Sequence, residues 1–189
     1  MKLLSVFFFF FCTLSTFGQI TDSSLVKVFE NLNPYQILEL LQSEETHDKK
    51  IKDYLRGLSF KIPRLNPISN QKIASAFGYR IHPITGEIKK HQGIDLVGQS
   101  GQKIYAAADG IIIEVGFNQF LGNFVKIKHL LDFESVYGHL QESIVALNST
   151  VYQGQIIGYC GSTGRTTGVH LHFSILFEGA FINPYSFIF

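Results

Sequence analysis

From Ile73 to Phe177 the chain never runs far without a turn. Short stretches with the texture of strands, at 73–79, 104–107, 110–116, 124–129, 135–139, 155–160 and 169–177, are divided by turn signals. Among these signals are Thr85-Gly86, Ala108-Asp109-Gly110, Leu121-Gly122-Asn123 and Gln153-Gly154. No long helical pattern intervenes, so parallel strands joined by crossover helices have no room to form. The pattern predicts a mainly β domain, an antiparallel sandwich or roll.

The residues before it read differently. Positions 22–58 carry helical spacing in three pieces. Ser23 or Ser24 caps a first piece with Leu25, Val28, Phe29 and Leu32, and Asn33-Pro34 starts a second with Ile37, Leu38 and Leu41. A third, capped by Thr46 or Asp48, aligns Ile51, Tyr54 and Leu55 and meets Gly57. Pro63 and Pro67 then mark a change of texture, which puts a helical N-terminal segment at 19–60 and the β domain at 61–189. The run Glu44, Glu45, Asp48, Lys49, Lys50 reads as a solvated face. Whether the helical segment is a packing appendage, a partner-binding pair or a cover for a groove stays open.

Residues 1–18 have the form of a secretory signal. Lys2 precedes an apolar run to Phe17, and Thr16 and Gly18 supply small residues before a cleavage point at Gln19. The run is short for a spanning helix, so no stable membrane span is expected after cleavage. Phe11 before Cys12 does not suit a lipidation signal. The two cysteines, Cys12 and Cys160, offer no disulfide framework, and Cys160 reads as a small buried hydrophobe. A formal charge of +1 gives no electrostatic reason to expect nucleic acid. An exported monomer is the expectation.

The polar chemistry is concentrated in histidines. In GSTGRTTGVHLHF, residues 161–173, a Gly/Ser/Thr loop enters a strand in which His170 and His172 share one face while Leu171 and Phe173 share the other. In KKHQGIDLVG, residues 89–98, His91 and Asp95 share a face of an extended segment with Gly93 leaving space between them. Two nitrogens and one carboxylate oxygen suit a divalent zinc ion with a fourth position left for water. Geometry alone leaves open which of His170 and His172 joins His91 and Asp95. In SVYGHL, residues 135–140, His139 falls on the polar face of its strand. His129 and His47 match no motif and are expected to be solvated, and His82, before Pro83, reads as a turn residue.

SAFGYRIHPITG at 75–86, HQGIDL at 91–96, AAADGIIIEVG at 106–116, YGHL at 137–140 and GSTGRTTGVHLHF together resemble the lysostaphin-type, LytM-like zinc metallopeptidases, family M23. The resemblance spans about residues 70–187, with Val169 standing where many relatives carry proline. It implies a lysostaphin-like catalytic domain, with Zn2+ held by His91, Asp95 and His172. It implies that His139 and His170 are the unligated histidines beside the reacting water, and places Arg80 near the substrate groove. Arg80 then either pairs with a substrate carboxylate or serves structure.

The function so implied is hydrolysis of peptide bonds in peptidoglycan stems or cross-links, of the D-alanyl–diaminopimelate type by analogy. There is no HExxH helix and so no evident glutamate base. The two unligated histidines must move the proton, in an order the sequence does not fix. Two other readings belong to different classes. One is a silent peptidoglycan-binding regulator of an amidase, which would not need the complete ligand set. The other is a phosphotransfer carrier, against which the export signal and the His91/Asp95 pair both speak.

Overall fold

The computed structural model describes residues 32–42, 49–69, 72–81 and 86–189. These fall into two compact units that divide between Glu39 and Leu40. The apolar start at 1–18, the helical stretch after Ser23 and Ser24, the caps Thr46 and Asp48, and the residues His47 and His82 lie outside the described residues. Among those described, no helix is long and apolar enough to cross a membrane.

Helix α1 (Pro34–Gln42) begins with the cap its sequence implies. Asn33 Oδ1 accepts from the backbone N–H groups of Tyr35 and Gln36, each at 3.0 Å, and Gln36 Oε1 accepts from Asn33 N–H at 2.9 Å. This reciprocal cap satisfies donors that the helix itself cannot, while Pro34 has none to satisfy. Helix α2 (Lys49–Ser59) runs through Gly57 and buries Leu55 and Leu58. The chain after it is stitched to the β structure. Asp109 N–H donates to Phe60 O at 2.7 Å, Arg64 and Leu65 N–H to Ala107 O at 3.1 and 3.0 Å, and Tyr105 N–H to Pro67 O at 2.9 Å. Ile62 and Ile68 are buried there, so the proline-containing stretch lies on the β structure as part of its packing.

The strands are β1 (Ile73–Ser75), β2 (Gly78–Ile81), β3 (Ile88–His91), β4 (Ile94–Val97), β5 (Lys103–Tyr105) and β6 (Gly110–Asn118). They continue with β7 (Gly122–Lys128), β8 (Phe133–Ser143), β9 (Thr150–Val151), β10 (Ile156–Cys160), β11 (His170–Phe177) and β12 (Ala180–Ile182), and a short helix α3 (Tyr185–Ile188) follows. The main sheet runs β1-β4-β11-β8-β7-β6-β9, with β12 on β11 and β10 joining β8 to β5. Its pairings are antiparallel, and β2 and β3 form a separate antiparallel ribbon. The fold is mainly antiparallel β, as the turn spacing implies.

Two expectations about strand continuity change. The stretch 73–79 is not one strand, because it passes from the sheet into the ribbon between Ser75 and Gly78. His91 and Asp95 likewise do not share one extended segment: His91 ends β3 in the ribbon and Asp95 lies in β4 of the sheet.

Strand β11 shows the two-residue period clearly. Leu171, Phe173 and Ile175 are fully buried, whereas His170 and His172 face the opposite side. Leu171 pairs with Leu96 of β4, and Phe173 with Tyr137 of β8, their rings 5.3 Å apart. Cys160 is buried, as expected, and burial pushes its thiol up to about 11, which keeps it protonated and inert.

His129 is not solvated; it is 6% exposed and belongs to a buried polar chain. Its Nδ1–H donates to Asp109 O at 2.8 Å, and its Nε2 lies 2.7 Å from Ser135 Oγ. Ser135 Oγ is 2.9 Å from the Tyr137 hydroxyl, which accepts from Ala107 N–H at 2.8 Å. A neutral imidazole satisfies every member: Tyr137 donates to Ser135, and Ser135 to His129. Burial pushes the His129 imidazole down to about 4. Protonation therefore favours the unfolded chain, so this contribution is complete above pH 6.5 and declines between pH 6.5 and 4. His129→Gln should flatten the fall in stability by about 1.4 kcal/mol per pH unit across that window. Urea unfolding of both proteins at pH 7 and pH 5 measures it.

Candidate metal centre

Strand β11 lies between β4 and β8 and brings three distant stretches to one face of the sheet. His172 stands directly across from Asp95 on β4 and from Gly138 on β8. Directly opposed residues share a face, so His172 and Asp95 meet. His172 Nδ1 lies 2.9 Å from Asp95 Oδ1. His91 Nε2 reaches in from the ribbon, 3.1 Å from His172 Nδ1 and 3.2 Å from Asp95 Oδ1.

These three atoms make a compact triangle. Ligands about 2.0–2.1 Å from a tetrahedral centre are separated by about 3.3 Å, close to the edges seen here. The remaining nitrogens are held by oxygens, which fixes the tautomers. His91 Nδ1–H donates to Ala76 O at 2.8 Å, and His172 Nε2–H donates to Ser174 Oγ at 3.0 Å. Both inward nitrogens therefore present lone pairs, as a metal requires. Arg80 Nη2 lies 3.3 Å from Asp95 Oδ2 and leaves Oδ1 to the triangle. Burial alone would raise the Asp95 carboxyl, but its close contacts with the His172 and His91 rings hold it well below the usual carboxylate range. Burial pushes the His172 imidazole down. The donor set fits a borderline divalent ion such as zinc.

Gly93 sits where the chain passes from β3 to β4. A Cβ there would lie 2.5 Å from Phe173 O, 2.5 Å from Ser174 Oγ and 2.8 Å from His172 Cε1. The space between the two ligating groups is thus filled by His172 itself. Gly93→Ala is expected to destabilise the fold by about 1–3 kcal/mol and to weaken metal uptake, because the β11 carbonyl cannot yield. Denaturant unfolding and zinc titration check both.

The other two histidines flank the triangle. His170 Nδ1–H donates to Gly168 O at 2.9 Å, with Thr166 Oγ1 at 3.2 Å, which leaves its Nε2 3.6 Å from Asp95 Oδ1. His139 arrives by an irregularity. Along β7 two steps, Asn123 to Val125, answer three along β8, Leu140 to Tyr137. This is a β-bulge, with His139 at φ 59° in the left-handed region. Strict alternation would send His139 to the side of Tyr137, which is fully buried. The bulge instead turns its ring to 4.6 Å from that of His170 and 6.0 Å from that of His172. That conformation costs about 1–2 kcal/mol. It is pinned by His139 N–H donating to Leu121 O at 2.6 Å and Nδ1–H donating to Thr163 O at 2.8 Å. Burial pushes the His139 imidazole down to about 4, so it is neutral near pH 7 with Nε2 free to accept a proton.

Sequence reasoning missed the residues that aim these rings. Thr163 Oγ1 donates to Leu140 O at 2.7 Å and accepts from Asn123 N–H at 2.9 Å, tying the Gly/Ser/Thr loop to β7 and β8. Ser174 and Thr166 orient His172 and His170. Only the density of Ser and Thr around the HxH pointed to them.

The model of peptidase family M23 matches residues 89–184, just over half of the chain. The chain belongs to family M23. A Vibrio cholerae protein named peptidoglycan DD-endopeptidase ShyC is 43% identical over 120 residues, which are 63% of this chain and 28% of that protein. A zinc-containing peptidase from Vibrio cholerae superposes with a TM-score of 0.60 at 33% identity, covering 65% of this chain and 39% of that one. The catalytic domain of lysostaphin from Staphylococcus simulans gives 0.57 at 30% identity, covering 64% of this chain and 97% of that one. The chain thus spans little more than a quarter of the matched DD-endopeptidase, whereas nearly the whole lysostaphin domain is represented. Family M23 chains with these folds share the β architecture described above.

Proposed function

We propose that this M23 chain is an exported zinc metalloendopeptidase that hydrolyses peptide bonds in peptidoglycan, at D-alanyl–diaminopimelate cross-links. The observation that carries the reading is the triangle of His91 Nε2, Asp95 Oδ1 and His172 Nδ1, with edges of 2.9–3.2 Å, flanked by two further imidazoles. His91, Asp95 and His172 would hold the ion, which supplies Lewis acidity toward a carbonyl oxygen and a water molecule.

The rest falls to the protein. His139 and His170 face each other beside the triangle, each with Nδ1–H donating to a backbone carbonyl and Nε2 inward. One accepts the proton of the attacking water at Nε2 and then gives it to the departing amine; the other, when it carries a proton on Nε2, donates to the developing oxyanion. Arg80 holds Asp95 and lines the adjoining cleft. Residues 1–18 are the export signal, so the mature chain meets its substrate in the periplasm or at the wall. The completeness of the ligand set favours an enzyme over a silent amidase regulator.

The test is mass spectrometry of purified cross-linked muropeptide dimers incubated with the zinc-loaded protein. Monomers with a newly freed diaminopimelate amine are expected. Dimers that persist although zinc is bound would overturn the reading.

A further inference from the structure

The cleft beside the metal centre, about 460 Å³, carries cations in two different electrostatic states. Arg80 is compensated by Asp95 at 3.3 Å, and Lys89 Nζ by Glu87 Oε2 at 2.7 Å. Arg165 lies within ion-pair distance of no carboxylate among the described residues. Its guanidinium carbon stands 4.8 Å from the centroid of the Phe120 ring, and the Arg165 backbone N–H donates to Phe120 O at 3.3 Å. The side chain is thus propped on the turn between β6 and β7 by a cation–π contact.

Arg165 also lines the smaller cavity, about 150 Å³, that holds His139, His170 and His172. Asp95 is the one acid on either lining, and it is already surrounded by Arg80 and the histidines. A propped, uncompensated guanidinium at the wall of so small a cavity calls for an anion close to the reacting bond.

We propose that Arg165 determines specificity by pairing with a free carboxylate on the carbon that bears the scissile nitrogen. This rests on the endopeptidase reading above and names the substrate class more narrowly. In a cross-link to the side-chain amine of diaminopimelate, that carbon carries a free carboxylate. In an oligoglycine bridge the corresponding carboxyl is consumed in the next peptide bond. The planar guanidinium matches a carboxylate through two parallel hydrogen bonds, which a carboxamide cannot reproduce.

The experiment uses the zinc-loaded full chain and its R165Q and R165K variants on two cross-linked dimers. One dimer bears the carboxylate beside the scissile nitrogen and the other a carboxamide, and the ratio of kcat/KM between them is read. The unaltered protein should favour the carboxylate dimer by roughly 10–100-fold, mainly through KM. R165Q should bring the ratio to about unity, and R165K should restore part of it. Equal cleavage of both dimers by the unaltered protein, or a preference that survives in R165Q, would overturn the role of Arg165 while the endopeptidase reading stands. Cleavage of neither dimer would overturn both.

Discussion

His172→Ala is expected to leave the protein without bound zinc after dialysis and to lower kcat/KM on muropeptide dimers by at least about 10⁴-fold. The residue is central in the literal sense. Its Nδ1 is 2.9 Å from Asp95 Oδ1 and 3.1 Å from His91 Nε2, so its loss removes two edges of the triangle at once. Two protein donors remain, one short of the three that a catalytic zinc site employs. Nothing substitutes locally, because His170 Nδ1 is held by Gly168 O and its Nε2 stands farther out, 3.6 Å from Asp95 Oδ1. The fold should persist, since the variant side chain lies on the face of β11 opposite Leu171 and Phe173. Elemental analysis with circular dichroism separates metal loss from unfolding. Retention of about one equivalent of zinc would reassign the third ligand.

The second large effect has the opposite signature. Loss of His139 or His170 should leave zinc in place but lower kcat by about 10²–10⁴-fold, with little change in KM. For His139 the replacement matters. Alanine at φ 59° would add backbone strain to the loss of the imidazole, whereas asparagine tolerates the left-handed region. His139→Asn and His170→Ala are therefore the informative pair. Unaltered turnover in either, with zinc bound, would remove that residue from the proton-transfer role.

How much of this was legible in the sequence depends on whether side-chain direction followed a simple period. Leu171 and Phe173 alternate with His170 and His172, and the structure keeps that alternation because β11 is regular along its length. His91 and Asp95 do meet, but not on one face of an extended segment: they come together across two sheets at a turn that only Gly93 permits. His139 shows where period-two reasoning ends, because a bulge adds a residue and reverses the face. His129 fails differently. A histidine without a motif looks solvated until the chain Ser135, Tyr137 and Ala107 that satisfies it is seen in three dimensions. The proline-containing stretch from Phe60 to Pro67 gave no sequence sign that its backbone would be hydrogen-bonded into the β structure.

The place of β11 in the sheet also sets an order of events. In the main sheet, β4 and β8 are joined through β11, which follows His139 by more than twenty residues and pairs Asp95 with a residue 77 positions later. A growing chain that has not yet delivered Val169 onward carries His91 in the ribbon, Asp95 on β4 and His139 on β8, with no strand joining β4 to β8. Closure of that seam is a long-range, slow kind of contact. The triangle is thus completed late: the last long strand in the chain both joins the sheet and brings its third donor, His172.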